Sequence, residues 1–216
     1  MNDYVTDEQQ VEALKKWWAE NGRYLIGGVV LGLAILFGWN SWKDYKENRA
    51  KAASGLYSQL EKAVLSADEA RAKALRGELV NDYSATPYAS AAEMIMARAA
   101  ADRNDLNTAE LNLRSAIELA LQPEFQEVAE LRLANVLIAA GKVDEALEIL
   151  NREWSAAYTS LREELRGDAY QAQGKLDAAR EAYDKAILTA AGRATFLQLK
   201  RDALGVASQP AVEAAS

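Results

Sequence analysis

The chain has 216 residues, a formal net charge of -7 and a mean hydropathy of -0.24, so most of it is built for water and its acidic balance disfavours nucleic acid as a partner. It holds no Cys and no His, which excludes disulfides, thiolate or imidazole metal sites, Cys nucleophiles and Ser–His–Asp triads. One long apolar stretch is present, so the chain is no pore by itself, and the remainder suits one modest domain.

Residues 1–5 carry no pattern. Thr6 followed by Gln9 resembles a capping box, and Val11, Leu14 and Trp18 recur at i, i+3, i+7 with Trp17 widening the face. This predicts an amphipathic helix over Asp7–Glu20, ended by Asn21-Gly22, both of which tolerate the left-handed conformation of a helix C-cap. Such a helix lies on a membrane surface or docks on a partner protein, and its place beside the apolar stretch favours the surface.

Residues 24–42 read YLIGGVVLGLAILFGWNSW, with no charge between Arg23 and Lys43. At about 1.5 Å per residue the span reaches roughly 28 Å, close to the ~30 Å bilayer core. Trp17, Trp18 and Tyr24 stand on one side and Trp39, Trp42 and Tyr45 on the other, the places where aromatic rings anchor in membrane lipid. A cleaved leader fits worse, because bulky Trp39 and Trp42 occupy the cleavage region and the preceding segment is acidic. Lys15, Lys16 and Arg23 before the span balance Lys43, Lys46, Arg49 and Lys51 after it, so charge does not orient the anchor. Gly28 and Gly32 form a GxxxG pair that permits close approach of a second helix, or simply belong to an anchor.

From Lys43 onward the composition favours helices throughout. The first two are Asp44–Leu65, continuous with the anchor, and Asp68–Tyr83, with Ser66 and Glu69 as a capping box between them and Pro87 marking the next break. Three helical hairpins then align on Asn104, Gly141 and Gly174. Seven residues before each lies a small residue (Ala97, Ala134, Gly167), five after lies alanine (Ala109, Ala146, Ala179), and nine after lies Leu113, Leu150 or Tyr183. Glu153 departs from the pattern where Ala116 and Ala186 keep it. The spacings of 37 and 33 residues resemble the tetratricopeptide repeat, against the alternative of a generic alanine-rich bundle. Arg193–Leu204 is read as a capping helix, and VASQPAVEAAS over 206–216 as a disordered tail.

Glu163–Glu164 and Asp144–Glu145 are adjacent carboxylates, read as solvated surface. No phosphate-cradling glycine loop is present, so neither an enzyme nor a cofactor or metal site is expected. A repeat stack instead offers a concave groove lined by the first helix of each hairpin. Its expected contacts are Met94, Arg98 and Asp102, then Leu131, Asn135 and Ile138, then Asp168 and Gln171. Only Asn135 stands where a clamp for a peptide carboxylate would need it.

The segment EALKKWWAENGRYLIGGVVLGLAILFGWNSW, followed by an acidic repeat domain, resembles the YfgM family of Gram-negative bacteria. The resemblance implies an inner-membrane, single-pass protein: residues 1–23 cytoplasmic, 24–42 transmembrane, 43–205 a periplasmic repeat domain and 206–216 a tail. It implies an ancillary subunit of the SecYEG translocon, associated with the membrane-anchored periplasmic chaperone PpiD, that passes translocated proteins to periplasmic chaperones. A role as a tethered regulator of envelope stress signalling is the alternative. A division or cell-wall scaffold is a weaker one.

Overall fold

A computed structural model describes residues 7–190 and 192–205. Thr6 of the expected capping box and the expected tail over 206–216 lie outside the described residues. Those described are helical and divide into two units, Met1–Lys51 and Ala52–Ser216.

Among its described residues the first unit is a single helix. Helix α1 (Asp7–Leu65) starts here and runs unbroken through the expected stop at Asn21-Gly22. Neither residue adopts a positive φ. Asn21 Nδ2 donates to Trp17 O at 3.0 Å, back along the same helix, and Gly22 is buried under the Trp18 indole, which a Cβ would approach to 3.1 Å. A C-cap leaves the last carbonyls to find new partners, and among the described residues the stretches of α1 on either side stand exposed, with nothing to reward a turn. Propagation adds a hydrogen bond per residue instead, so the helix continues into the apolar span.

The second unit begins with the end of α1, from Ala52, and continues as α2 (Glu69–Asp82), α3 (Pro87–Asp102), α4 (Leu106–Glu118), α5 (Pro123–Ala139), α6 (Val143–Leu150), a 3-10 turn at Ala156–Tyr158, α7 (Thr159–Ala172), α8 (Leu176–Leu188) and α9 (Ala194–Asp202). Asn104, Gly141 and Gly174 sit at φ of 61°, 76° and 74°, as the repeat alignment requires. The residue after each donates its N–H five residues back, to Ala100, Leu137 and Tyr170, at 2.9 Å every time. These are Schellman turns, which satisfy carbonyls that a helix end would otherwise orphan.

A fourth turn of the same kind precedes them. Ala67 has φ of 55°, and Asp68 N donates to Ala63 O at 2.9 Å. Seven residues before Ala67 lies fully buried Leu60, and five after lies buried Ala72. The α1–α2 hairpin therefore turns as the three repeats do, with Leu60 in place of their small residue and Arg76 in place of their Leu or Tyr. The expected Ser66–Glu69 capping box is replaced: Ser66 Oγ donates to Ala63 O, and Asp68 caps α2 by accepting from Arg71 N at 3.1 Å.

The core follows the repeat register. Ala109, Ala146 and Ala179 are fully buried, as are Leu150 and Tyr183, with Leu113 nearly so. Each buried leucine contributes about 1.5–3 kcal/mol against exposure. Small residues at these crossings let helix backbones close up, and at the third the Tyr183 ring packs directly on Gly167 of its own hairpin. A buried hydroxyl adds a tie the alignment did not anticipate. Ser90 Oγ donates to Ala116 O at 2.7 Å and Ser160 Oγ to Ala186 O at 3.0 Å, at equivalent positions of two hairpins. In the middle hairpin that position is Glu127, which accepts from Ser155 N and Oγ beyond the end of α6.

Candidate docking site

Within the second unit an open trough of about 1550 Å³ lies between the end of α1, α3 and α5. A helix is 10–12 Å across with its side chains, so the trough has room for roughly three turns of one, or a longer extended segment. Tyr57, Glu61 and Leu65 line it from α1, Met94, Arg98 and Asp102 from α3, and Phe125, Val128, Arg132 and Asn135 from α5, with Tyr158 from the 3-10 turn. The α3 residues are spaced by four and the α5 residues by three and four, so each set shares one helix face.

Apolar area dominates its walls. Arg98 Nε and Asp102 Oδ2 are 3.8 Å apart and largely exposed, which makes this pair worth little in water. Burial, then the Glu61 charge, pushes the Tyr57 hydroxyl above its usual range, while Arg132 pulls the other way. Tyr57 therefore stays a neutral donor at physiological pH. Its ring stands 5.8 Å from that of Tyr88.

Met94, Arg98, Asp102 and Asn135 line the trough, whereas Leu131, Ile138, Asp168 and Gln171 do not. On α5 the trough face passes through Arg132 and Asn135. Leu131 and Ile138 fall about 100° around the helix from it, Leu131 buried in the core and Ile138 packed against it. Asp168 is held by Lys200 of α9, whose Nζ lies 2.6 Å from Oδ1. Gln171 Oε1 lies 3.0 Å from the Tyr183 hydroxyl. The third hairpin thus spends its expected groove face on the capping helix and on its own core.

Glu163 and Glu164 are corrected as well: both are buried, not solvated. Glu163 pairs with Arg162 at 2.8 Å and Arg166 at 3.2 Å, and Glu164 with Arg193 at 2.7 Å and Lys200 at 3.1 Å. Asp144 and Glu145 are exposed, as read. Sequence reasoning missed Tyr57, Phe125, Val128, Arg132 and Tyr158. The Phe125–Val128–Arg132–Asn135 spacing carried the signal for α5.

In the first unit, Trp17, Trp18, Tyr24, Trp39, Trp42 and Tyr45 are all exposed on α1. Cations stack on rings at both ends of the apolar span: Arg23 over Tyr24 at 4.7 Å and Lys46 over Trp42 at 4.3 Å. The Trp39 and Trp42 rings are 5.7 Å apart. A Cβ at Gly28 or Gly32 would meet nothing within 4 Å. Among the described residues one helix is long and apolar enough to cross a membrane.

The tetratricopeptide repeat-like domain family matches residues 15–206. The protein named ancillary SecYEG translocon subunit from Haemophilus influenzae is 31% identical to this chain over 84% of it and 89% of the relative. The chain belongs to the YfgM family of tetratricopeptide repeat-like proteins. A protein of the same name from Escherichia coli K12 is 29% identical over 87% of this chain and 90% of its own length. One from Neisseria gonorrhoeae is 26% identical over 94% of this chain and 100% of its own. No solved structure matches the chain.

Proposed function

We propose that the chain is a non-enzymatic, membrane-anchored docking protein, an ancillary subunit of the SecYEG translocon that passes translocated proteins to periplasmic chaperones, a PpiD-like one among them. In this reading residues 1–23 are cytoplasmic, 24–42 cross the inner membrane, and the repeat domain over 43–205 stands in the periplasm. The observation that carries it is an open, apolar-walled trough on a repeat domain, in a chain that shares about 30% identity over most of its length with relatives named as ancillary SecYEG translocon subunits. Tethering at a membrane raises the local concentration of partners held in the same bilayer, so modest trough affinity suffices.

Affinity capture from detergent-solubilised membranes tests it, comparing the full chain with a version carrying an unrelated anchor. Co-purification of translocon subunits with both supports docking through the repeats. Loss with the swapped anchor moves the contact to α1, and absence with both contradicts translocon association.

A second reading, a tethered regulator of envelope stress signalling, draws on the exposed Val11, Leu14, Trp17 and Trp18 of α1. Trp17→Ala with Trp18→Ala separates the two: a regulator loses signalling while translocon capture persists.

A further inference from the structure

Counting back from the left-handed turns at Ala67, Asn104 and Gly141 puts the three helices of the trough in one register. Glu61, Arg98 and Asn135 each stand six residues before their turn and make one row across the trough. Lys62 stands five before its turn and Arg132 nine, so both flank that row. Toward one end lie Ala91 and Val128, thirteen before their turns, and toward the other Leu65, two before. Along the helix axes the walls therefore run apolar, polar, apolar. The eleven residues between those two levels cover roughly 16 Å at about 1.5 Å each, or three turns of helix.

The middle band is cationic in an acidic chain. Arg98, Arg132 and Lys62 outnumber Glu61 there, although the whole chain carries a net charge of -7. Arg98 has Asp102 one turn on, at 3.8 Å. Arg132 and Lys62 are exposed and form no ion pair among the described residues. The Arg132 charge is felt at the Tyr57 hydroxyl of the α1 wall, so it stands over the trough.

An extended peptide laid here would bring a backbone whose N–H and C=O groups need partners. The uncharged hydrogen-bonding side chains that line the trough are Ser58, Asn135 and two tyrosines, and Glu61 already faces the Tyr57 hydroxyl. A helix brings its backbone already paired and needs only apolar contact along one face. The alanines of α3 that line the trough, Ala91, Ala97, Ala99 and Ala101, let such a helix lie close.

We propose that the trough receives an amphipathic helix of a partner protein, about three turns long, with apolar side chains in its outer turns and a carboxylate in its middle turn that meets Arg132 and Lys62.

The inference rests on the trough as the docking site of the proposed function. It is tested on the full chain in zwitterionic nanodiscs with three fluorescent, end-capped model peptides of about 15 residues. The first is alanine-based, with leucines in its outer turns and glutamates in its middle turn on the same face. The second carries lysine for glutamate, and the third is the first with a central proline that breaks the helix. The glutamate peptide is expected to bind on the order of tenfold tighter than either of the others. Arg132→Glu, at an exposed position, is expected to turn the preference toward the lysine peptide. Equal binding of the glutamate and lysine peptides, equal binding of the proline peptide, or an unchanged preference with Arg132→Glu would each overturn the inference. Absence of binding by all three peptides overturns it too, and if translocon subunits still co-purify through the repeats the proposed function stands. Peptide binding as expected, with no translocon capture by the full chain or its anchor-swapped version, would support the inference and contradict the proposed function.

Discussion

The Tyr183 ring occupies the space a side chain at Gly167 would need: a Cβ built there would lie 2.5 Å from Tyr183 Cε1. Helix α8 thereby presses a fully buried aromatic ring against the backbone of α7, and the Tyr183 hydroxyl donates to Asp168 Oδ1 at 2.6 Å. Gly167→Ala must displace that ring. Overpacking of this sort costs about 1–3 kcal/mol. Thermal denaturation of the repeat domain should show a fall of about 2–4 °C per kcal/mol lost.

The same tyrosine sets an alkaline limit. Burial, and then its hydrogen bond to Asp168, holds the Tyr183 hydroxyl far above its usual 10.0. The unfolded chain releases this proton near pH 10 while the folded chain keeps it. Its contribution is therefore full below pH 10 and is lost as pH rises above that value. Tyr183→Phe costs about 1 kcal/mol at neutral pH by removing the hydroxyl's bonds. Urea denaturation repeated up to pH 11 should show that gap between wild type and variant narrowing above pH 10.

The four repeat turns make opposite predictions by residue. Ala67 pays for a φ of 55° that its Cβ resists, so Ala67→Gly should stabilise the domain, by about 0.5–1 kcal/mol after the entropy cost of glycine. Gly141→Ala and Gly174→Ala place a Cβ at φ of 76° and 74° and should each destabilise by about 1–2 kcal/mol. Equilibrium unfolding of the three variants checks both signs at once.

Glu93 is fully buried, and its Oε1 accepts from Arg76 Nη2 at 2.6 Å, Arg76 Nε at 3.0 Å and Ser115 Oγ at 3.0 Å. Arg76→Ala strips the charge partner from this carboxylate and should cost about 3–5 kcal/mol. Pairing it with Glu93→Leu should recover much of the loss, since the remaining partners are then neutral. A double-mutant cycle in chemical denaturation measures the coupling.

The hairpins were legible because glycine and asparagine mark left-handed turns and alanine marks close helix crossings. The turn at Ala67 was hidden, since alanine there gives no such signal and the packing of Leu60 and Ala72 supplies the conformation instead. At Asn21-Gly22 the reverse held: the right residues for a stop were present, but among the described residues no second helix returned to pack, and α1 continued. The trough was legible on α3, where Met94, Arg98 and Asp102 share one face. It was displaced by one residue on α5, where Arg132 rather than Leu131 faces outward. The burial of Glu164 was out of reach because its partners, Arg193 at the start of α9 and Lys200 on it, lie 29 and 36 residues away, and reading a capping helix there did not say which of its cations would meet α7.

The central claim is that the trough over α3 and α5 is where partners dock. A photo-crosslinking amino acid placed at Arg98 or Asn135, with Glu148 on the outer face of α6 as control, tests it most directly in native membranes. The account predicts adducts with translocon or periplasmic chaperone subunits from the two trough positions and background from Glu148. Equal adducts from Glu148, or none from the trough while the same partners still co-purify with the full chain, would contradict it.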